Sequence, residues 1–130
     1  VTGNYPIAIA ASVIIDLDHL QSYISHGIIL KPKKLWKTLT DQNDPWGDQR
    51  GVLHNIAFFG IVAVPLVFLG GVGKIITLGY LGHLLLDALD NSDYWPLYPN
   101  KKINLKGFIN YGTWHELVFF IGLLVIYIIL

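Results

Sequence analysis

Four long stretches of the chain carry no charged side chain: residues 1–15, 51–73, 75–86 and 117–130. A helix that spans a membrane needs about 20 mostly apolar residues, within a range of roughly 17–25. Residues 51–73 meet this length alone, whereas the other three stretches need residues from their flanks. The pattern predicts four transmembrane helices, at about residues 5–19, 50–69, 74–90 and 114–130, with Pro65 as a kink in the second.

The connections between these helices differ in length. The segment Gly70-Gly71-Val72-Gly73 predicts a tight hairpin, whereas residues 20–49 and 91–113 are longer, polar loops. An up-down-up-down bundle places both long loops on one side of the membrane, together with all four Trp and every basic residue except Lys74. The basic loops mark this side as cytoplasmic, and the four Trp fit an aromatic belt at the same membrane interface. We therefore predict one all-α domain over residues 1–130, a multi-pass bundle in the inner or cytoplasmic membrane.

Composition narrows the class of protein. Hydrophobic residues make up 53% of the chain and charged residues 14%, against about 25% charged in soluble domains. These values exclude a disordered chain, a nucleic-acid binder and an ordinary cytosolic enzyme. The chain has no Cys, which excludes disulfides and thiolate metal sites.

The remaining His and acidic residues gather at the cytoplasmic ends of the predicted helices. Ionisable groups inside a membrane cost on the order of 2.5–3.5 kcal/mol each, so they usually face the bundle interior and mark a functional site. Nine residues belong to this polar ring: Asp16, Asp18, His19, His54, His83, Asp87, Asp90, His115 and Glu116.

Helical spacing refines this ring. Asp87 and Asp90 both lie within about 40° of His83 on one helix face, and Asp16 and His19 also share a face. On a regular helix Asp18 lies about 160° from Asp16, so either Asp18 points elsewhere or the helix has ended there.

Imidazole and carboxylate without thiolate suit Zn, Mn, Fe or Co. We predict a divalent metal site near the cytoplasmic face, with zinc as the expected ion and manganese or iron as alternatives. The predicted ligands are Asp16, His19, His54, His83 and Asp87. A carboxylate that is not a ligand could act as general base, and Asp18 and Asp90 are the candidates for this catalytic role.

Simpler interpretations stay open for several residues. The polar ring could be a structural hydrogen-bond network between helices. Glu116 fits a capping box with Thr113, so we discount it as a site residue. His115 is only a weak candidate ligand. His26 has no partner pattern, so we interpret it as solvated or interfacial. The cluster of Lys31, Lys33 and Lys34 is either a flanking charge cluster or a site for anionic lipid headgroups.

Three short motifs resemble one family of membrane proteins. Gly79-Tyr80-Leu81-Gly82-His83-Leu84-Leu85-Leu86-Asp87, followed by Trp95-Pro96-Leu97, resembles the G-Y-x-x-H-x-x-x-D and W-P-L signature of the YdjM-like inner-membrane proteins. Ile15-Asp16-Leu17-Asp18-His19 resembles their P-D-I-D-H segment, and Arg50-Gly51-Val52-Leu53-His54 resembles the end of H-R-G-x-T-H-S. The resemblance implies a metal-dependent hydrolase with several membrane helices. The H-x-x-x-D element is also loosely similar to helical zinc-dependent phospholipases C.

The chain departs from these family motifs at three positions. Gln49 stands where the motif has its first His, Asn55 where it has Ser, and Ile15 where it has Pro. Asp16, Asp18, His19, His54, His83 and Asp87 all match the motifs. The loss of the first His argues against a site for two metals.

We therefore expect a membrane-bound hydrolase that acts on a phosphoester or related bond of a lipid or amphiphile, with membrane lipids as its surroundings. The alternative is a non-catalytic membrane subunit whose polar ring is structural or docks a partner. A metal or proton carrier ranks last, because residues 58–69 and 117–130 offer almost no polar side chain toward the far side of the membrane.

Overall fold

The fold was derived from a computed structural model, which describes residues 4–41, 43–110 and 113–129. Over these residues the chain is all-helical and contains no strand, as predicted. Six helices follow one another along the chain: α1 (Tyr5–Ile14), α2 (Leu17–Ser25), α3 (Pro32–Leu39), α4 (Ile56–Phe68), α5 (Gly70–Leu89) and α6 (Trp114–Ile129).

Two helical segments have the length and apolar composition needed to cross a membrane. The first is the 21-residue segment Tyr5–Ser25, formed by α1 and α2, and the second is the 20-residue helix α5. Helices α4 and α6 are apolar but shorter, at 13 and 16 residues. Two candidate spans therefore coincide with the first and third predicted helices.

The first predicted helix, at residues 5–19, is divided in two. Helix α1 ends at Ile14, and α2 starts at Leu17 after a short break. The second predicted helix starts later than expected, at Ile56, because residues 50–55 form a loop. Asn55 caps α4, since its side-chain oxygen accepts hydrogen bonds from the backbone N–H groups of Ala57 (2.7 Å) and Phe58 (3.2 Å).

The tight connection predicted between the second and third helices is confirmed, but residues 70–73 do not form a separate loop. These residues form the first turn of α5, and the chain reverses at Leu69 and Gly70, where Gly70 has a φ of +76°. A Cβ at Gly73 would clash with the carbonyl oxygen of Leu66. Gly73 therefore allows close packing between α4 and α5, and Gly70 supplies the positive φ of the reversal.

The segment at residues 20–49, predicted as a loop, is helical over nearly half of its length. It contains most of α2 and the whole of α3. Helix α3 starts with Pro32 in its first turn, where the missing backbone N–H costs nothing.

Helix α5 lies at the centre of the fold and packs against both α1 and α4. The buried core near its end consists of Ile15, Tyr80, Leu84 and Tyr94. Residues 91–109 then fold back beside α5, with hydrogen bonds from the Asn91 N–H to the Ile109 carbonyl (2.8 Å) and from the Gly107 N–H to the Asp90 carbonyl (2.8 Å). The segment 91–109 therefore covers the C-terminal end of α5.

Candidate metal centre

The break between α1 and α2 turns Asp18 into the protein. Its side chain is only 8% exposed, and Oδ2 accepts hydrogen bonds from the backbone N–H groups of Leu53 (2.7 Å) and His54 (3.2 Å). Gly51 leaves room for this carboxylate, because a Cβ there would lie 3.3 Å from the Asp18 Cγ. Of the two placements open from the sequence, the end of the first helix at this point is the one observed.

Asp18 also holds the imidazole of His54, which is fully buried. The His54 Nδ1 lies 3.1 Å from the Asp18 Oδ2, which assigns the ring proton to Nδ1. On the other side, the Tyr94 hydroxyl donates to the His54 carbonyl at 2.8 Å. Burial, assisted by the Asp87 carboxylate, raises the pKa of Tyr94 to about 12, so this hydroxyl keeps its proton. The result is a ring held in one orientation, with its Nε2 directed away from Asp18.

Two side chains of α5 meet this nitrogen. The His54 Nε2 lies 3.3 Å from the His83 Nε2 and 3.3 Å from the Asp87 Oδ2. The third separation, from the His83 Nε2 to the Asp87 Oδ2, is 3.4 Å. Three potential ligand atoms therefore form a nearly equilateral triangle.

The remaining predicted ligands border this triangle. Asp16 Oδ1 lies 3.4 Å from the His83 Nε2 and 3.6 Å from the His19 Nε2. Ligand atoms of Asp16, His54 and His83 all lie within 4.8 Å of one another. The His19 ring meets the His54 ring edge to face, with 5.1 Å between their centroids. The structure thus brings all five predicted ligands into one cluster.

The geometry of this cluster fits a divalent metal. Zinc binds His and carboxylate at about 2.0–2.2 Å, so neighbouring ligands of a four-coordinate ion lie roughly 3.3–3.6 Å apart. The three separations of 3.3, 3.3 and 3.4 Å fall in this range. Asp87 Oδ2 is also buried and accepts no hydrogen bond of ordinary geometry from the described residues. A buried oxygen of this kind needs a cation or a donor.

Arg50 is a site residue that sequence reasoning missed, because it was counted only as a basic loop residue. It is 8% exposed, and its Nη2 donates to the Asp87 Oδ1 (3.0 Å) and the Asp90 Oδ2 (3.1 Å). Its Nη1 donates to the Asp93 carbonyl at 3.1 Å. The sequence signal that could have identified Arg50 is its position as the first residue of the R-G-x-x-H motif that ends at His54. Arg50 occupies one oxygen of Asp87 and leaves the other to the imidazoles.

The two predicted general bases have different surroundings. Asp18 uses Oδ2 for Leu53 and His54, as described above. Asp90 is ion-paired with Arg50 through Oδ2, while its Oδ1 is buried and has no hydrogen-bond partner among the described residues. Asp18 therefore contacts the predicted ligand His54 through Nδ1, whereas Asp90 shares the Arg50 guanidinium with the predicted ligand Asp87.

Gln49, which stands where the family motif has His, is 9% exposed and lines the same region. Its Oε1 accepts a hydrogen bond from the Tyr23 hydroxyl at 3.5 Å, and its backbone N–H donates to Asp44 at 2.9 Å. The weak candidate His115 has contacts with Thr113 and Trp114 instead.

A cavity of about 590 Å³ opens beside the cluster. One part of its wall is polar and includes Asp16, His83 and Asp87, and another part is apolar and includes Leu20 and Phe120. Glu116, in the first turn of α6, also lines it. The cavity therefore offers both polar and apolar surface to a ligand.

The described residues thus combine an all-helical fold, two segments long and apolar enough to cross a membrane, and a His/Asp cluster that could hold a metal ion. The family of the protein follows from a comparison over the whole chain. The family model described as YdjM inner membrane protein matches residues 2–129, so the chain belongs to this family. The resemblance predicted from three short motifs is thereby confirmed. No curated protein and no solved structure matches the chain. The looser similarity to phospholipases C therefore stays a prediction.

Proposed function

We propose that the protein is an inner-membrane hydrolase that uses one divalent metal and acts on a phosphoester or related bond of a lipid or amphiphile. The observation that carries this proposal is the triangle of the His54 Nε2, His83 Nε2 and Asp87 Oδ2, with separations of 3.3–3.4 Å. Asp16 and His19 complete the ligand set from α2 and the break before it. Zinc is the ion that these distances and donor types favour.

A divalent ion at this site would lower the pKa of a bound water toward about 7 and polarise a phosphoryl or carbonyl oxygen of the substrate. The surrounding residues then have separate roles. Asp18 is a positioning residue, since its Oδ2 holds His54 in the orientation that directs Nε2 inward. Arg50 orients Asp87 in the same way through Oδ1.

Asp90 is the better of the two candidates for a general base. It lines the cavity, and its Oδ1 accepts no hydrogen bond from the described residues. That oxygen is closed to solvent in this structure, so the proposed role as a base requires a water molecule to reach it from the cavity. Asp18 is less suited to this role, because its contacts with Leu53 and His54 already occupy Oδ2.

The cavity supports an amphiphilic substrate. Its polar lining includes four of the five proposed ligands, all except the fully buried His54, and a charged or polar group would lie there. Its apolar lining includes side chains from α2, α3, α5 and α6. A lipid places a polar headgroup and apolar chains side by side, so the lining matches this class of molecule.

The proposal includes four membrane-crossing helices in up-down-up-down order, with the two long loops and the metal site toward the cytoplasm. Helices α4 and α6 are short, but their apolar side chains face outward. Ile61, Phe68 and Leu117 are exposed by 71%, 84% and 61%. Lipid contact accounts for so much exposed apolar surface on a small chain.

Metal content provides the first test. The protein is purified in detergent after expression with zinc, manganese or iron, and bound metals are quantified by mass spectrometry. We expect about one ion per chain in the wild type and loss of the ion in His83→Ala and Asp87→Asn. His26→Ala is the matched control, because this imidazole contacts Asp48 outside the cluster and its removal should leave the metal in place. A wild-type protein without metal under all three supplies contradicts the proposal.

A non-catalytic subunit is the second candidate, favoured by the ion pairs that Arg50 forms with Asp87 and Asp90 inside the fold. Under this alternative, His83→Ala lowers stability or assembly. Under the hydrolase proposal, His83→Ala stays folded but no longer releases headgroup or phosphate from phospholipid vesicles. Circular dichroism alongside the activity assay separates the two.

A further inference from the structure

Helix α3 is amphipathic over its whole length. At 100° per residue, Leu35, Trp36 and Leu39 fall within an arc of about 100°, while Lys33, Lys34 and Lys37 lie around the opposite side. An eight-residue helix with such a sharp division has one apolar face and one cationic face.

Both faces of α3 are open. Trp36 is 69% exposed and Leu39 is 44% exposed, and Leu30, just before the helix, is 89% exposed. Within the parts of the chain that the structure describes, the lysines of α3 form no ion pair with a carboxylate. The cationic face therefore has no carboxylate partner among these residues, and the apolar face is exposed at Trp36 and Leu39, with Leu35 half-buried.

The position of α3 places it next to the membrane surface. The candidate span Tyr5–Ser25 ends only seven residues before Pro32. Those residues do not extend away from it, because the Ile28 N–H donates to the Tyr23 carbonyl (3.0 Å) and the Lys31 N–H donates to the Ile28 carbonyl (2.8 Å). The helix thus begins close to the level at which the first span leaves the bilayer.

We propose that α3 lies in the headgroup region of that leaflet and binds anionic phospholipid. Its apolar face would lie roughly 5–10 Å into the boundary between headgroups and acyl chains, and its lysines would contact lipid phosphates. Charge complementarity selects this occupant, since Lys31 and the three helical lysines form a cationic cluster of the kind that anionic lipids attract. Thr38 and Leu39 also line the 590 Å³ cavity, so a lipid-bound α3 brings the edge of the cavity to the bilayer surface.

The natural lack of cysteine allows a direct test on the full chain. Single variants Trp36→Cys and Lys34→Cys carry a spin label on opposite faces of α3, about 160° apart. Each is reconstituted into nanodiscs that contain phosphatidylglycerol, and label accessibility is measured with oxygen, which concentrates in the bilayer, and with a water-soluble nickel chelate. We expect the oxygen-to-nickel accessibility ratio to be several-fold higher at position 36 than at position 34.

The dependence on lipid charge separates anionic lipid from other occupants. Nanodiscs of phosphatidylcholine alone, or a Lys33→Gln/Lys37→Gln background, should reduce the contrast between the two labels at least twofold, as should high salt. Equal accessibility ratios at the two positions in anionic nanodiscs would overturn the proposal. A difference between the two ratios that is the same in anionic and in phosphatidylcholine nanodiscs would also overturn it. Low accessibility of both labels to both reagents would also overturn it, because that result indicates a protein partner. Circular dichroism of each labelled variant against the unlabelled protein serves as the folding control, so the test does not depend on the metal of the proposed function.

Discussion

Two His–Asp pairs in this protein have nearly the same contact distance and very different surroundings. The His54 Nδ1 lies 3.1 Å from the Asp18 Oδ2, and the His26 Nε2 lies 3.0 Å from the Asp48 Oδ2. The side chains of the first pair are 0% and 8% exposed, whereas those of the second are 31% and 33% exposed. His26 also stacks on Trp46, with 4.1 Å between ring centroids.

The difference lies in what the second ring nitrogen does. In the buried pair, Asp18 takes the Nδ1 side and leaves the His54 Nε2 to face His83 and Asp87. In the surface pair, Asp48 contacts the Nε2 of His26. Asp48 also accepts a hydrogen bond from the Ser22 hydroxyl at 2.6 Å, which joins α2 to the loop that follows α3. The same contact positions a candidate ligand in one place and joins two segments in the other. His26 is solvent-exposed, as interpreted from the sequence, and its contact with Asp48 is a feature that the sequence pattern did not predict.

The largest expected contrast between the pairs is in stability. Asp18→Ala removes the acceptor of the backbone N–H groups of Leu53 and His54 and of the ring Nδ1 of His54. Each buried group left unsatisfied costs about 1–3 kcal/mol. We expect a loss of about 3 kcal/mol or more in unfolding free energy, measured by circular dichroism in mixed micelles. Asp48→Ala is the matched variant and should cost about 1 kcal/mol or less, because exposed ion pairs contribute little. Similar losses in both variants would remove the distinction between the pairs.

Metal affinity is expected to change by a smaller amount. Asp18→Asn keeps the size of the side chain but removes the negative charge beside His54, and such changes behind a ligand usually weaken metal binding by about 10- to 100-fold. Titration of the metal-free protein against a zinc-binding dye measures this change. His26→Ala should bind zinc like the wild type. Unchanged affinity in Asp18→Asn would mean that Asp18 supports the fold but not the metal.

The smallest expected effect is a pH dependence at the surface pair. Partial burial raises the pKa of Asp48, but hydrogen bonds from Ser22 and His26 outweigh it and hold this pKa below its ordinary value. A carboxyl group with a lowered folded-state pKa stabilises the fold above its unfolded pKa of about 3.9, and this contribution is lost as the pH falls through the folded value. The stability difference between wild type and Asp48→Asn should therefore be present at pH 5 and shrink as the pH falls below about 4. A difference that grows toward low pH would reverse the assigned sign.

The all-helical class and the composition of the cluster could be predicted from the sequence. Charge-free stretches of about 12–23 residues dictate helices in an apolar environment, and the few ionisable residues among them stand out for that reason. Helical spacing then places His83 and Asp87 on one face, because residues four apart are neighbours on any α-helix. These conclusions need only local geometry and the cost of burying charge.

Other features depend on how distant segments pack. The break after Ile14 turns Asp18 toward residues 51–54, and the sequence alone left two placements open for this carboxylate. Arg50 looked like an ordinary loop cation until the fold brought it against Asp87 and Asp90, which lie 37 and 40 residues away along the chain. Periodicity describes one element at a time, whereas the partners of a buried charge are set by contacts between elements. The identity of the cluster was thus determined by the sequence, and the role of each member around it was decided only by the tertiary structure.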